Sequence, residues 1–181
     1  MTSFVALLRG INVSGQNSIR MAALQESCLA LGFTGVHTYL QSGNVVFSAA
    51  KTDESKLATA MQKRITQDFG HDIPVLVMPA KMLAEIADSN PLWPQSGGDE
   101  KLFHATFLFR PVSPDSFHRL KLPAVAGERA VLMGNTVLLH CPHGYGKTKL
   151  NNSYYERALN VSATTRNWRT VLALKALCGT G

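Results

Sequence analysis

The sequence predicts an α+β protein made of two ferredoxin-like β-α-β-β-α units, residues 1–88 and 101–181, the second degenerate and closed by an extra C-terminal helix. Three observations carry this. Apolar runs of strand length alternate with segments whose apolar residues recur every three or four positions, the periods of buried strand and amphipathic helix. The order of elements in the first half is the split βαβ pattern. The order then starts again after SNPLWPQSGGDE (residues 89–100), where Pro, Gly and acids concentrate as in a linker.

The elements follow one by one. Phe4 to Leu8 is a continuous apolar run and predicts a buried strand. RGINVSGQN (residues 9–17) is a polar, glycine-containing loop, and Met21, Leu24, Cys28 and Leu31 then recur at helical spacing up to Gly32, a C-terminal cap. Val36 to Leu40 and Asn44 to Phe47 are strands joined by Gln41-Ser42-Gly43 as a hairpin. Leu57, Met61, Ile65 and Phe69 mark a second helix, with Asp53 and Glu54 in the first turn to complement its dipole and Gly70 at its end. Ile73 to Met78 is a further strand. Pro74 sets it on a sheet edge or makes residue 73 its lead-in. A short helix over 80–87 closes the first unit.

The second half opens with a strand from Leu102 to Phe109, whose FLFRP ending echoes the LLRG of the first strand. A short helix follows Pro114. Arg129 to Met133 and Thr136 to His140 flank Gly134-Asn135, a two-residue hairpin signal. Ser153 with Glu156 predicts a capping box for a helix through Leu159. Thr164 or Thr165 is then expected to cap a last helix carrying Trp168, Val171, Leu172, Leu174 and Leu177, in the place of a fourth strand.

Charge points to partners. Residues 1–90 hold seven Lys/Arg and seven Asp/Glu, whereas residues 141–181 hold Lys147, Lys149, Arg157, Arg166, Arg169 and Lys175 against Glu156 alone. Such a local excess concentrates anions. No apolar run reaches the ~20 residues that span a bilayer, and the apolar stretch in MTSFVALLRG is too short for a signal peptide. Three widely spaced cysteines (Cys28, Cys141, Cys178), without a CxxC pair, fit a reducing compartment. A cytoplasmic protein without a membrane partner is expected.

Several motifs fail on inspection. Gly146-Lys147-Thr148 imitates the tail of a phosphate-binding loop, but Cys141 stands where the first glycine is required, and the preceding strand belongs to a hairpin. RGINVSG is not the dinucleotide fingerprint, so no cofactor is expected. His140, Cys141 and His143 have no second cluster to complete a metal site, so no metal is expected. Residues with anion-binding chemistry remain. Gly144 and Gly146 leave backbone N–H groups able to face an anion, with Lys147 and Lys149 beside them. Arg166 and Arg169, three apart at a helix start, oppose the dipole unless they serve a ligand. Arg9 and Asn12 follow the first strand, and Gln41, Ser42 and Asn44 form a hairpin tip. Trp168 reads as a core residue.

Taken together, LLRGINVSG, GFTGVHTYLQSGNVVF, HGYGKTKLNN and TTRNWRTV resemble the bacterial family known as domain of unknown function 1697, over essentially the whole chain. The resemblance implies an α+β fold with ferredoxin-like elements and no known reaction, cofactor or partner. Its blocks carry Arg9, Asn12, Gln41, Ser42, Asn44, Lys147, Lys149, Arg166 and Asn167, the expected ligand-binding set. The GKTK block has Thr148 where many relatives have Ser, which keeps the hydroxyl.

The expected function is binding of a phosphate-bearing ligand, nucleic acid or nucleotide, in a basic polar cleft where these loops converge. Cations would neutralise phosphate, and Asn12, Gln41 and Asn167 would supply directional hydrogen bonds. The alternative is an enzyme acting on a small anionic substrate in the same cleft. Its blocks hold no Asp or Glu, which leaves His140 and His143 as general bases and no catalytic residue named. A module that binds a regulatory partner is a third reading.

Overall fold

The structure, a computed structural model, describes residues 1–122 and 125–179; the expected second unit also includes residues 123, 124, 180 and 181, which lie outside these. Among the described residues there are six α-helices and two four-stranded antiparallel sheets. The chain forms two compact units, Met1–Glu85 with the C-terminal residues from Ala173, and Ile86–Leu172. None of the helices is long and apolar enough to cross a membrane.

In the first unit β1 (Thr2–Leu8), β2 (Thr34–Tyr39), β3 (Asn44–Ala49) and β4 (Val75–Pro79) form a sheet of order β2-β3-β1-β4. The unbroken apolar run places β1 in the interior of that sheet, with Phe4 to Leu8 all buried. Pro74 precedes β4, which is an edge strand, so both expectations attached to that proline hold. Helices α1 (Met21–Leu29) and α2 (Glu54–Phe69) bring Leu24, Cys28, Leu57, Met61 and Ile65 onto the face of Phe4, Ala6, Val45 and Phe47. Phe47 stacks on Phe33 at 4.4 Å and on Phe4 at 5.7 Å between ring centres. Burying one such ring contributes about 1.5–3 kcal/mol, and paired rings add about 0.5–1.5.

Local chemistry sets the ends of α2. Asp53 is its N-cap, accepting from Ser55 N at 2.7 Å, and Gly70 ends it at φ 70°. Ser27 of α1 and Arg64 of α2 both donate to Asp68, at 2.6 and 2.7 Å, which ties the two helices and holds that carboxyl below its ordinary range. Helix α3 (Ala80–Asp88) follows β4.

The second unit repeats the pattern. It holds β5 (Phe103–Leu108), α4 (Pro114–His118), β6 (Arg129–Met133), β7 (Thr136–His140), α5 (Asn152–Leu159) and β8 (Ala163–Asn167), with sheet order β6-β7-β5-β8, before α6 (Trp168–Cys178). The order matches that of the first sheet strand for strand. The expected degeneracy is therefore corrected: ATTRN is a fourth strand, paired with β5 from His104↔Asn167 to Leu108↔Ala163. Its core joins Leu108, Val137, Leu139 and Ala163 of the sheet to Phe117 of α4 and Tyr155 of α5. Segment 89–100, expected as a linker, is ordered: Leu92 is buried and Trp93 meets Phe103 edge-on at 5.0 Å.

Both expected caps also move. Asn151, not Ser153, caps α5, accepting from Tyr154 N at 3.1 Å, while Glu156 accepts from Ala163 N at 2.9 Å and so holds β8. Asn167, not Thr164 or Thr165, accepts from Thr170 N at 2.9 Å at the start of α6. Each cap lies two or three residues from its expected place, where an Asn at the true chain reversal reaches the third helical N–H with its side-chain oxygen.

Candidate functional site

The nine expected site residues divide between the units. In the first, the loop after β1 and the hairpin between β2 and β3 come together. Asn12, at φ 54°, donates to Ile19 O (3.0 Å) and Gln41 O (2.8 Å) and accepts from Ile19 N (2.9 Å). Its amide is therefore engaged in clamping loop to hairpin. Gly43 N–H and carbonyl lie at the same junction, Leu8 N donating to Gly43 O at 2.8 Å. Asn44 is fully buried and donates to Tyr39 O and to the Ser42 hydroxyl, which closes the turn from inside. The directional hydrogen bonds expected of Asn12 thus serve the fold. Gln41 and Ser42 remain on the exposed tip, and Arg9, half-buried, stands at the end of β1 with its N–H on Pro74 O.

In the second unit the two C-terminal blocks meet. Tyr145 donates its hydroxyl to Thr165 Oγ1 (3.1 Å), Thr165 donates to Asn152 Oδ1 (2.6 Å), and the Thr106 and Thr165 hydroxyls lie 2.7 Å apart. This chain of hydroxyls joins the loop after β7 to β5, β8 and the first residue of α5. His104 on β5 stacks against the Tyr145 ring at 4.5 Å. Burial holds its pKa down to about 4, so it is neutral at pH 7 and serves as a platform for the tyrosine.

The GKTK block shows why its residues alternate. Thr148 is buried, donating to Glu128 Oε2 at 2.9 Å and accepting from Leu150 N at 3.0 Å. It is an anchor, and the lysines on either side, Lys147 and Lys149, are exposed. The expected cradle of backbone N–H groups at Gly144 and Gly146 is corrected for Gly144. Gly144 N donates to Cys141 O, Lys147 N to Gly144 O and Thr148 N to Tyr145 O, so these amides close the turn on itself.

Arg166 is also corrected. It lies on β8, not at a helix start, and is 6% exposed. Its guanidinium donates to Thr164 Oγ1 (2.8 Å) and Thr165 O (3.0 Å), and burial lowers its pKa to about 10. A strand alternates its faces, which separates Arg166 from Asn167; the latter is exposed and spends its carbonyl oxygen on the α6 cap. Trp168 is fully buried and approaches Trp93 at 5.9 Å.

Both histidines named from sequence as general bases have a neighbour. His140 stacks on Phe103 at 4.5 Å, and His143 Nε2 lies 3.0 Å from Ala126 O. Burial pushes Cys141 up to about 11 and Cys28 to about 12, so both are neutral thiols at pH 7. Among the described residues no three His, Cys, Asp or Glu side chains gather closely enough to hold a metal ion. His104, Thr106 and Asn152 join the site without having been expected there. For His104 and Thr106 the signal was the polar residues interrupting the apolar run of β5 in FHATFL.

Fold and site define a class: an α+β chain of two units with the same strand order, with two signature blocks in each unit. The chain belongs to the family described as Protein of unknown function (DUF1697), which matches residues 1–138. The GYGKTKLNN and TTRNWRTV blocks lie beyond that span. The chain is similar in fold to a conserved bacterial protein, SP0830 from Streptococcus pneumoniae, with a TM-score of 0.73, 21% identity and 98% of each chain covered. No protein with a curated description matches the sequence.

Proposed function

We propose that the protein binds phosphate-bearing ligands, single-stranded nucleic acid first among them, through the cations of its second unit. One observation carries the reading. Lys147, Lys149, Arg157 and Arg169 are all exposed, and among the described residues none of them makes an ion pair. Cations without acidic partners are free to neutralise phosphates and release counterions. The Tyr145–Thr165–Asn152 chain and the Thr148 anchor hold the lysine loop in one shape before any ligand arrives, which lowers the ordering cost of binding. The set lacks a carboxylate base and an activated nucleophile, which favours binding over catalysis. Three free cysteines, two of them buried, fit the cytoplasm as its compartment.

The test is fluorescence anisotropy of a labelled single-stranded oligonucleotide at low salt. The wild-type chain is expected to bind, and Lys147→Ala with Lys149→Ala to bind more than tenfold more weakly while unfolding at the same urea concentration. Equal competition by a mononucleotide at matched phosphate would transfer the site to small anions. No binding by the wild type would end the proposal.

A further inference from the structure

Within the second unit a groove of about 460 Å³ runs between α4 and the edge strand β6, lined by Val112, Pro114, Phe117, His118, Ala130 and Leu132 among others. None of the residues assigned above to phosphate lies in it. Two features make it more than an apolar dent.

The first is the free edge of β6. The two-residue turn Gly134-Asn135 makes Met133 and Thr136 a hydrogen-bonded pair, and alternation makes Val131 and Leu138 the next. Ala130 and Leu132 therefore turn their N–H and C=O groups away from β7, toward the open side. Beyond β7, those groups have no partner among the described residues. Both residues, with Val131 between them, line the groove, so one strand offers a main-chain template beside an apolar pocket.

The second is the contrast with the other unit. Its edge strand β2 occupies the same place in the sheet order, yet its register shifts between Thr34 and His37. An irregularity of this kind blunts an edge against pairing. β6 keeps a regular register over all five residues. Moreover, the helix that precedes β6 is five residues long where α1 has nine, which leaves the groove open. The same fold guards one edge and leaves the other unguarded.

We propose that β6 accepts an extended acidic peptide from a partner protein as a fifth strand, with alternate apolar side chains of the peptide entering the groove. Charge selects the occupant. Arg129 opens the strand and Arg119 ends α4, both of them exposed, whereas Glu128, just before the strand, turns a carboxylate oxygen onto Thr148. A chain of net charge +6 repels a second copy of itself and attracts an acidic segment.

The probe is a labelled peptide, EVEIEVE, compared with KVKIKVK, on the full chain. The acidic peptide is expected to bind at least tenfold more tightly than the basic one, and to slow amide hydrogen exchange at Ala130 and Leu132. Ala130→Pro removes an outward N–H and spares the β6–β7 ladder; it is expected to weaken binding at least tenfold with unfolding midpoint and oligonucleotide affinity retained. Should that variant unfold, Arg129→Glu replaces it, with the same weakening expected. Equal binding of both peptides, exchange unchanged at the two amides, or sedimentation showing a dimer that Ala130→Pro dissociates would overturn the proposal. Oligonucleotide affinity, read on the same samples, reports separately on the lysine loop.

Discussion

Replacing Gly43 by alanine sets a methyl group where the first unit has no room for one. A Cβ built there meets Ile11 Cδ1 at 2.6 Å and Leu8 Cβ at 2.8 Å, and the residue holds φ +77°. Both neighbours are buried, so neither has solvent to move into. The left-handed conformation costs an L-residue about 1–2 kcal/mol, and overpacking a filled core costs about 1–3 more. Gly15 isolates the first term, because it has φ +75° with nothing within 4 Å of the added Cβ. Gly15→Ala is expected to lose about 1–2 kcal/mol, and Gly43→Ala about 2–5. Urea unfolding followed by far-ultraviolet circular dichroism reads both, and a gap of this size moves the midpoint by roughly 0.5–1.5 M. If the two variants unfold at the same urea concentration, the close contact of the hairpin with Leu8 and Ile11 is wrong.

Other substitutions test other joints. Asn167→Ala removes the α6 cap and its two bonds to Thr170 and is expected to lower stability by about 0.5–2 kcal/mol; calorimetry showing no change would reassign that residue. Arg166→Ala is expected to lower stability by about 1–3 kcal/mol while leaving the salt dependence of oligonucleotide binding as it was, because its guanidinium is buried on Thr164 and Thr165. Loss of a full phosphate contact in that variant would show the arginine to be a ligand group. His104 gives a pH test. Its folded pKa, about 4, lies below the ordinary 6.5, so the unfolded chain takes up a proton first. Its contribution is therefore complete above pH 6.5 and is lost as pH falls toward 4, by at most ~1.4 kcal/mol per pH unit. His104→Gln is expected to flatten that part of the stability curve, and an unchanged curve would contradict its burial as a neutral ring.

Much of this architecture was legible in the sequence, for identifiable reasons. The interior of the first sheet showed itself because β1 is apolar at every position from Phe4 to Leu8. Helix α2 was legible from both ends, since Asp53 and Gly70 are the residues that its termini need. Gly134-Asn135 gave the β6–β7 hairpin for the same kind of reason. β8 escaped because ATTRN carries no apolar alternation; its inward positions are filled by Thr and by an arginine whose charge is satisfied on neighbouring hydroxyl and carbonyl oxygens. Two β-branched residues in a row, and the fourth strand already present in the first half, were the available signals. Of the site residues, Lys147 and Lys149 were legible as exposed cations. The roles of Asn12 and Asn44 were not, since a buried amide that closes a turn and an exposed one that meets a ligand read alike in sequence.

The salt dependence of binding to a single-stranded oligonucleotide tests the central claim most directly. With Lys147, Lys149, Arg157 and Arg169 supplying three or four phosphate contacts, the slope of log K against log salt is expected at about −2 to −3, from ~0.7 per contact. Lys147→Ala and Lys149→Ala should each make it shallower by about 0.7, and Lys63→Ala, an exposed lysine of the first unit, should leave it unchanged. A slope near zero, or the same change in all three variants, would contradict the assignment of the lysine loop to phosphate.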